Sequence, residues 1–315
     1  MAEKFTITGY STALFSTWIF VEQLGLLFDA GDGVCAGLLQ KSRKVRKVAV
    51  THPDRDHVTG VLQLQQLNAQ NGVPEIFFPA DCGSFPVLAE FCRNFDPGRG
   101  DQVTWSPVKP GDDRDLDGGF RLKVIANDHF HDQPGRIKSV SYAVTRETRK
   151  LKAEFAGLAG KELADLSRKQ GSDYLTKATE EMILGYAGDT SVAAAARWAG
   201  CRILIHEATF LKKTDAGDRT GRHQHSFLDD VLRMAAGAKP RQCVLNHFSS
   251  RYAHEEITAA IQNDASSLCL PFPVFAIMPG EMVRDILAAP AVWCGNLEQP
   301  QNTTESRGPA PSRKT

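Results

Sequence analysis

The sequence predicts an α/β fold, because short apolar runs rich in β-branched residues alternate with segments of helical spacing. Several of these runs are followed directly by a residue that can bind a metal. Residues 45–50 precede the loop 51–57, which contains His52, and residues 242–246 precede His247. Polar side chains at strand ends are typical of the sites of α/β sheets. The sequence therefore predicts one site assembled where the strands end.

The composition is that of an ordinary globular protein. At 315 residues, the chain is long enough for one large domain or two smaller ones, and 42% hydrophobic residues can fill a sizeable core. Lysine plus arginine and aspartate plus glutamate both number 37, so no overall charge draws the protein to nucleic acid. This balance still allows a local basic patch.

The cysteines and the apolar runs both indicate a cytoplasmic protein. The seven cysteines are odd in number and form no CxxC pair, which argues against a disulfide framework. No run reaches the roughly 18 apolar residues that span a bilayer. The first residues also lack the apolar region of a signal peptide. We therefore expect a cytoplasmic chain that makes no use of a membrane.

One domain is expected over residues 1–297. Residues 146–181 are charged and have helical spacing, which predicts an exposed helical insertion in that domain. The tail 298–315 lacks apolar residues, and we expect it to be disordered. Near the start, three strand-like runs in residues 5–28 lead to a glycine-rich turn at 29–33. Asp29 in that turn is assigned a structural role, because turns and helix caps favour aspartate.

The most informative loop has the pattern His52-x-Asp54-x-Asp56-His57. Carboxylates and imidazoles crowded on one loop repel each other and lose hydration unless a cation neutralises them. The alternative is a solvated polar turn. The pattern resembles the His-x-His-x-Asp-His signature of the metallo-β-lactamase superfamily, with Asp54 in place of the second histidine.

Six segments resemble, in the same order, those of ribonuclease Z, the tRNA 3′-end processing endonuclease of this superfamily. They are residues 28–33, 51–57, 188–190, 206–210, 225–226 and 247–252. The resemblance implies a four-layer αββα metallo-β-lactamase sandwich. It also implies hydrolysis of a phosphodiester by a hydroxide held between two metals.

The resemblance implies seven metal ligands: His52, Asp54, Asp56, His57, His129, Asp189 and His247. His52 and Asp54 would bind the first metal, and Asp189 would bridge the two. The strand at 120–126 is followed by two histidines. His129 is favoured as the remaining first-metal ligand because it follows the strand end directly, and His131 is the alternative.

Three residues carry catalytic roles by the same resemblance. His225 would donate the proton to the leaving oxygen, and Glu207 would orient His225. Asp56, besides binding metal, would orient the hydroxide. A structural role is expected for His206, and surface positions are expected for His223 and His254.

The expected cofactors are two divalent ions, Zn²⁺ first, with Mn²⁺ or Fe²⁺ as alternatives because Asp54 adds a hard oxygen ligand. The expected partner is a phosphodiester substrate, with RNA as the candidate; a homodimer is left open. A tRNA precursor does not follow, since residues 146–181 contain no proline and do not match the Gly/Pro-rich arm of ribonuclease Z. Two alternatives remain: a hydrolase of a small ester, lactone or β-lactam, and a non-catalytic binding protein that keeps the fold.

Overall fold

A computed structural model describes residues 4–130, 136–216 and 224–295. In this part of the chain, two seven-stranded sheets pack face to face. The first sheet has the spatial order β14 (Met282–Val283), β1 (Ile7–Thr12), β2 (Ser16–Val21), β3 (Leu26–Phe28), β4 (Lys47–Ala49), β5 (Gly72–Pro79) and β6 (Val103–Val108). The second has the order β13 (Val274–Ala276), β12 (Gln242–Asn246), β11 (Ile203–Glu207), β10 (Thr176–Tyr186), β9 (Val140–Leu151), β8 (Phe120–Ala126) and β7 (Asp113–Asp115).

Both sheets change from antiparallel to parallel pairing partway across. Strands β3 to β6 are parallel, as are β10 to β13, while the remaining neighbours are antiparallel. Parallel strands need crossover segments, and in α/β folds these place polar loops at the carboxyl ends of the strands. Those ends carry the candidate site.

The alternation of side chains explains the layers. In β2, Ile19 and Val21 face the core between the sheets, whereas Trp18 and Phe20 face the opposite side. Helical residues such as Val34, Val61, Leu64 and Phe85 cover that outer face. Both faces of the strand are buried, which is why it lacks a polar alternation.

The helices flank both sheets. Those near the first sheet are α1 (Val34–Leu38), α2 (Arg55–Val58), α3 (Val61–Asn68), α4 (Ser84–Phe95) and α5 (Pro97–Gly100). Between β9 and β10 lie α6 (Gly160–Gln170) and α7 (Ser172–Leu175), and the outer face of the second sheet is covered by α8 (Leu228–Ala238) and α9 (His254–Ser267). The predicted four-layer αββα sandwich is confirmed.

The predicted helical insertion at 146–181 is wrong at both of its ends. Strand β9 continues to Leu151, and β10 begins at Thr176, where these two residues are paired. Only the tip between them is helical. The paired ends of β9 and β10 form a ribbon that is exposed to solvent, so most of its residues are polar. Without apolar residues at every second position, the sequence pattern cannot distinguish these strands from a charged helix.

Hydrogen bonds join the two sheets beside the site. The Tyr186 hydroxyl donates to Asp29 Oδ2 at 2.7 Å, and the Tyr142 hydroxyl donates to the Val50 carbonyl at 2.8 Å. Burial of both rings places these bonds in a region of low dielectric constant, where they are strong. The predicted tail 298–315 lies outside the described residues. No helix within those residues has the length and apolar character needed to cross a membrane.

Candidate metal centre

The candidate site lies where strands of both sheets end. The first sheet supplies His52, Asp54, Asp56 and His57 from the segment that follows β4. The second supplies His129 after β8, Asp189 after β10 and His247 after β12, with His225 just before α8. The site therefore spans the seam between the sheets, and neither sheet forms it alone.

One group of side chains corresponds to the first predicted metal position. Asp54 Oδ2 lies 3.7 Å from His52 Nε2 and 3.8 Å from His129 Nε2. Both histidines are fully buried, while Asp54 remains partly exposed. One cation placed among these three atoms would contact each of them, because the atoms lie within 4.8 Å of one another.

A second group corresponds to the other metal position. Asp56 Oδ2 lies 3.6 Å from His57 Nε2 and 3.6 Å from His247 Nε2. Asp189 Oδ2 lies between the two groups, at 3.4 Å from His57 Nε2, 3.2 Å from His247 Nε2 and 3.7 Å from His52 Nε2. This central position is the one a bridging carboxylate would occupy.

Each of these four imidazole rings is oriented through its Nδ1 atom. The Nδ1 atoms of His57 and His129 donate to Asp29 Oδ2 and to the Gln224 carbonyl, both at 2.9 Å. Those of His52 and His247 lie 2.9 Å from the hydroxyls of Thr51 and Thr209. Holding Nδ1 in this way directs Nε2 towards the centre, as in histidines that bind metals.

The Nε2 atoms of His52, His57 and His247 are buried and have no hydrogen-bond partner in the described part of the protein. An unsatisfied buried polar atom costs about 1–3 kcal/mol. Three of them converging on carboxylates would be costly in an apo centre. This mixed nitrogen and oxygen donor set fits divalent cations such as Zn²⁺, so the residues present fit the metals that the fold implies.

Asp29 is the anchor behind this centre. It is fully buried, and it accepts hydrogen bonds from the Thr51 amide at 2.7 Å, from His57 Nδ1 and from the Tyr186 hydroxyl. Its backbone is left-handed, with φ of 53°. Aspartate tolerates this conformation better than most residues do. These contacts give Asp29 the structural role expected from the sequence, because they fix Thr51, His57 and Tyr186 around one buried carboxylate.

Electrostatics favour ligand-competent states at Asp189 and His52. Burial acts to raise the pKa of Asp189, but the charges of His247 and His57 outweigh it and hold this pKa well below its usual range. Burial, reinforced by His57 and His129, lowers the pKa of His52, which keeps its imidazole neutral. Ionised carboxylates and neutral imidazoles are the forms that bind metals.

His57 behaves differently. Burial acts to lower its pKa, but the charges of Asp189 and Asp29 dominate and raise the pKa well above its usual value. Without a cation, a proton on His57 therefore balances the surrounding carboxylates. Metal binding must displace that proton, which couples metal affinity to pH.

The predicted acid lies beside the second group. His225 Nδ1 is 3.1 Å from Glu207 Oε1 and 3.9 Å from Asp189 Oδ2, and its ring stacks on that of His247 at 5.4 Å. Glu207 is held by the Thr190 amide at 3.0 Å and by the Thr209 hydroxyl at 2.6 Å. Burial acts to lower the pKa of His225, but the charge of Glu207 outweighs burial and raises this pKa to about 9.

The structure thus brings together all seven predicted ligands, His225 and Glu207. It places His206 on a strand with its Nδ1 2.8 Å from the Glu207 carbonyl, outside every group of potential ligands in the described residues. His254 lies away from the centre and donates to the Pro279 carbonyl. His131 and His223 lie outside the described residues. The sequence does not predict the orienting roles of Thr209 and Tyr186, because each meets its partner, His247 or Asp29, only through tertiary packing.

The chain is similar in sequence to known proteins. Residues 26–157 match the β-lactamase superfamily domain. The chain is 26% identical over 287 residues to the protein named "tRNase Z TRZ2, chloroplastic" of Arabidopsis thaliana. This match covers 85% of this chain and 75% of that protein. The chain is 25% identical over 267 residues to ribonuclease Z of Listeria welshimeri, covering 75% of this chain and 81% of the relative. The chain is a metallo-β-lactamase-fold protein similar to ribonuclease Z.

A solved structure has the same fold. The metallo-β-lactamase fold protein YhfI of Bacillus subtilis matches with a TM-score of 0.60 at 14% identity, covering 89% of this chain and 100% of that one. At this identity the likeness shows the fold alone. The resemblance predicted from the six sequence segments is confirmed.

Proposed function

We propose that this ribonuclease Z-like chain is a metal-dependent phosphodiesterase that acts as an endonuclease on RNA. The observation that carries the proposal is the position of Asp189 between two groups of ligands, with the His225–Glu207 pair next to it. A shared carboxylate suits a pair of cations, and a pair of cations suits phosphodiester cleavage. The relatives named ribonuclease Z support the same class of substrate.

His52, Asp54 and His129 would hold the first cation, and Asp56, His57 and His247 the second, with Asp189 between them. We propose Zn²⁺, with Mn²⁺ or Fe²⁺ as alternatives that the Asp54 oxygen would favour. Such cations, when bound, would acidify a water molecule and polarise the phosphoryl oxygen. The chain's own residues position the substrate and move protons.

His225 performs the proton transfer in this proposal. Its Nδ1 is directed to Glu207, so the opposite edge of the ring is available to the leaving oxygen. The ring is partly exposed, at 21%, so a substrate can reach it. Glu207 is buried and held by backbone and hydroxyl donors, and therefore orients the ring without contacting the substrate. An imidazolium donates a proton where a poor leaving group needs one.

The cytoplasmic location is part of this proposal. All seven cysteines lie in the described residues, and all are free thiols. Five of them are buried. A reducing compartment fits such a set, since exposed thiols at Cys269 and Cys294 would be prone to oxidation elsewhere.

The deciding experiment combines metal analysis with a substrate panel. Protein expressed in metal-replete medium should contain close to two divalent ions per chain and should hydrolyse bis(p-nitrophenyl) phosphate and a short RNA. A chelator should abolish both activities, and added metal should restore them. Turnover of p-nitrophenyl acetate, a lactone or a β-lactam without phosphodiester turnover would overturn the assignment. Metal content with no turnover of any substrate would instead indicate a binding protein.

A further inference from the structure

The turn between β1 and β2 presents two large apolar side chains to solvent beside the metal centre. Leu14 is 79% exposed and Phe15 is 61% exposed. The Leu14 amide donates to Asp56 Oδ2 at 3.1 Å, so the turn is attached to one of the candidate ligands. The turn therefore borders the candidate centre on the side of Asp56.

The position of the turn is fixed. The Phe15 amide donates to the Thr12 carbonyl at 3.0 Å, and the Ala13 amide donates to the Phe248 carbonyl at 3.2 Å. The Thr12 hydroxyl accepts a bond from the Gly280 amide at 2.9 Å. These bonds tie the turn to the segment after His247 and to the loop before β14. The backbone of Leu14 and Phe15 is thus held in place, although their exposed side chains contribute nothing to the core.

We propose that Leu14 and Phe15 form a platform for the base of the nucleotide next to the scissile phosphodiester. This inference rests on the proposed function, and it names a group on the substrate that the site would recognise. Aromatic side chains stack on nucleic acid bases with little dependence on sequence, because every base has a π face. The single-stranded parts of RNA are recognised in this way.

The size of the patch favours a nucleobase over a second protein. A stable protein interface buries about 800 Å² on each partner. Two side chains on a turn expose far less than this, but enough to cover one planar ring. A second aromatic residue borders the other side of the centre: the Phe130 ring lies 4.8 Å from that of His129 and 6.0 Å from that of His52. A nucleotide on either side of the phosphate would thus meet an apolar surface.

The test compares three substrates that share one leaving group: methyl p-nitrophenyl phosphate, and thymidine esterified with p-nitrophenyl phosphate at its 5′ or 3′ oxygen. For at least one thymidine ester, Phe15→Ala should lower the ratio of its kcat/KM to that of the methyl ester by roughly 5–100-fold, the usual effect of losing one base stack. Phe15→Trp should preserve the ratio, since tryptophan also stacks.

Phe91→Ala is the matched control. Phe91 is a phenylalanine on α4 with 51% exposure, and its replacement should leave all three rates unchanged. If Phe15→Ala leaves the kcat/KM ratio of both thymidine esters to the methyl ester unchanged, the platform is overturned. If that ratio is unchanged and the fraction of monomer on size-exclusion chromatography rises, the two side chains serve a contact between copies of the chain, which also overturns the platform. Turnover of the methyl ester by the wild type tests the proposed function separately, so the two failures can be told apart.

Discussion

The carboxylate of Glu207 lies 3.1 Å from Nδ1 of His225, and the carboxylate is itself buried and held by Thr190 and Thr209. The ring edge that carries Nδ1 is therefore occupied by an anchored anion. A neighbouring carboxylate stabilises the protonated form of a histidine, which is the form that can donate a proton to a leaving group. Its consequences can be tested by removing the charge and the ring separately.

Replacing Glu207 with glutamine should shift the pH dependence of turnover. Glu207 keeps the pKa of His225 raised, to about 9, so His225 holds its proton to higher pH. Activity that needs this proton is lost as pH rises through the pKa. Bound cations would lower that pKa, but removing the Glu207 charge must lower it further in either case. The alkaline limb of the kcat profile should therefore move to lower pH, with metal content unchanged. An alkaline limb that stays in place would contradict this role.

Removing His225 itself should cost more for poor leaving groups than for good ones. His225→Ala should lower kcat by roughly 10²–10⁴ on substrates whose leaving oxygen needs a proton, the usual size of general acid catalysis. The loss should be small for p-nitrophenyl esters, because their leaving anion is stable. The measurement is kcat across a series of aryl and alkyl phosphodiesters, alongside elemental analysis.

The control for His225→Ala is a change at a candidate ligand. His247→Asn suits this purpose, because His247 has a left-handed φ of 62°, which asparagine adopts more readily than alanine. This variant should lose metal and should lower activity on good and poor leaving groups alike. Loss of metal in His225→Ala would show that His225 is a ligand and would contradict the acid role.

The outcome at these positions shows what the sequence can predict. The ligand residues follow apolar strands, and a sheet brings strand ends to one edge, so their convergence is predictable from the chain alone. The choice of His129 depended on its distance from the strand end, and its ring lies in the site. Thr209 could not be found as a partner of His247, because the two lie 38 residues apart and meet only through tertiary packing.

The segment 146–181 shows the opposite case. Its ends are paired strands, yet both faces of the ribbon are solvated, so no apolar residues mark the period of two. The charge and helical spacing of the segment predicted the helices of the tip correctly, but they wrongly predicted helix at the two ends, which are strands. Backbone pairing with a sheet, which no local pattern records, decided the conformation there.

Asp54→His should change the metal preference of the first group. Asp54 Oδ2 faces His52 Nε2 and His129 Nε2, so a histidine at 54 would replace an oxygen ligand with nitrogen. Nitrogen ligands suit Zn²⁺, whereas oxygen favours harder ions such as Mn²⁺. In competition for equal concentrations, the variant should retain more Zn²⁺ relative to Mn²⁺ than the wild type, as measured by elemental analysis. Equal ratios would indicate that Asp54 does not bind the metal.

Asp29→Asn should weaken metal binding although it replaces none of the candidate ligands. The substitution keeps the shape of the side chain but removes the charge that orients His57 through Nδ1. Losing such an orienting partner typically costs about 10–100-fold in metal affinity. Chelator titration measures this loss. Tyr186→Phe is the milder companion, because it removes one hydrogen bond to Asp29 and leaves the bond to His57 intact. An unchanged affinity in Asp29→Asn would contradict the anchoring role.

The helical tip can be removed with the pairing as a guide. Leu151 and Thr176 are register partners, so residues 152–175 can be replaced by an Asn-Gly turn that closes a hairpin. The shortened protein should hydrolyse small phosphodiesters as the wild type does, because none of the candidate ligands lies in the tip. Cleavage of tRNA precursors, if the wild type shows it, should fall. A folded variant that loses turnover of small substrates would place the tip in the site.

The placement of ligands on both sheets has a consequence for the biosynthesis of the protein. The loop after β4 is made early, whereas His225 and His247 emerge only after most of the chain has left the ribosome. A chain that ends before these two residues therefore has six of the seven candidate ligands, but it lacks His247 of the second group and the proposed proton donor His225. Under the proposed action on RNA, this division of ligands would keep each nascent copy inert, in the immediate presence of ribosomal, messenger and transfer RNA, until its synthesis is nearly complete.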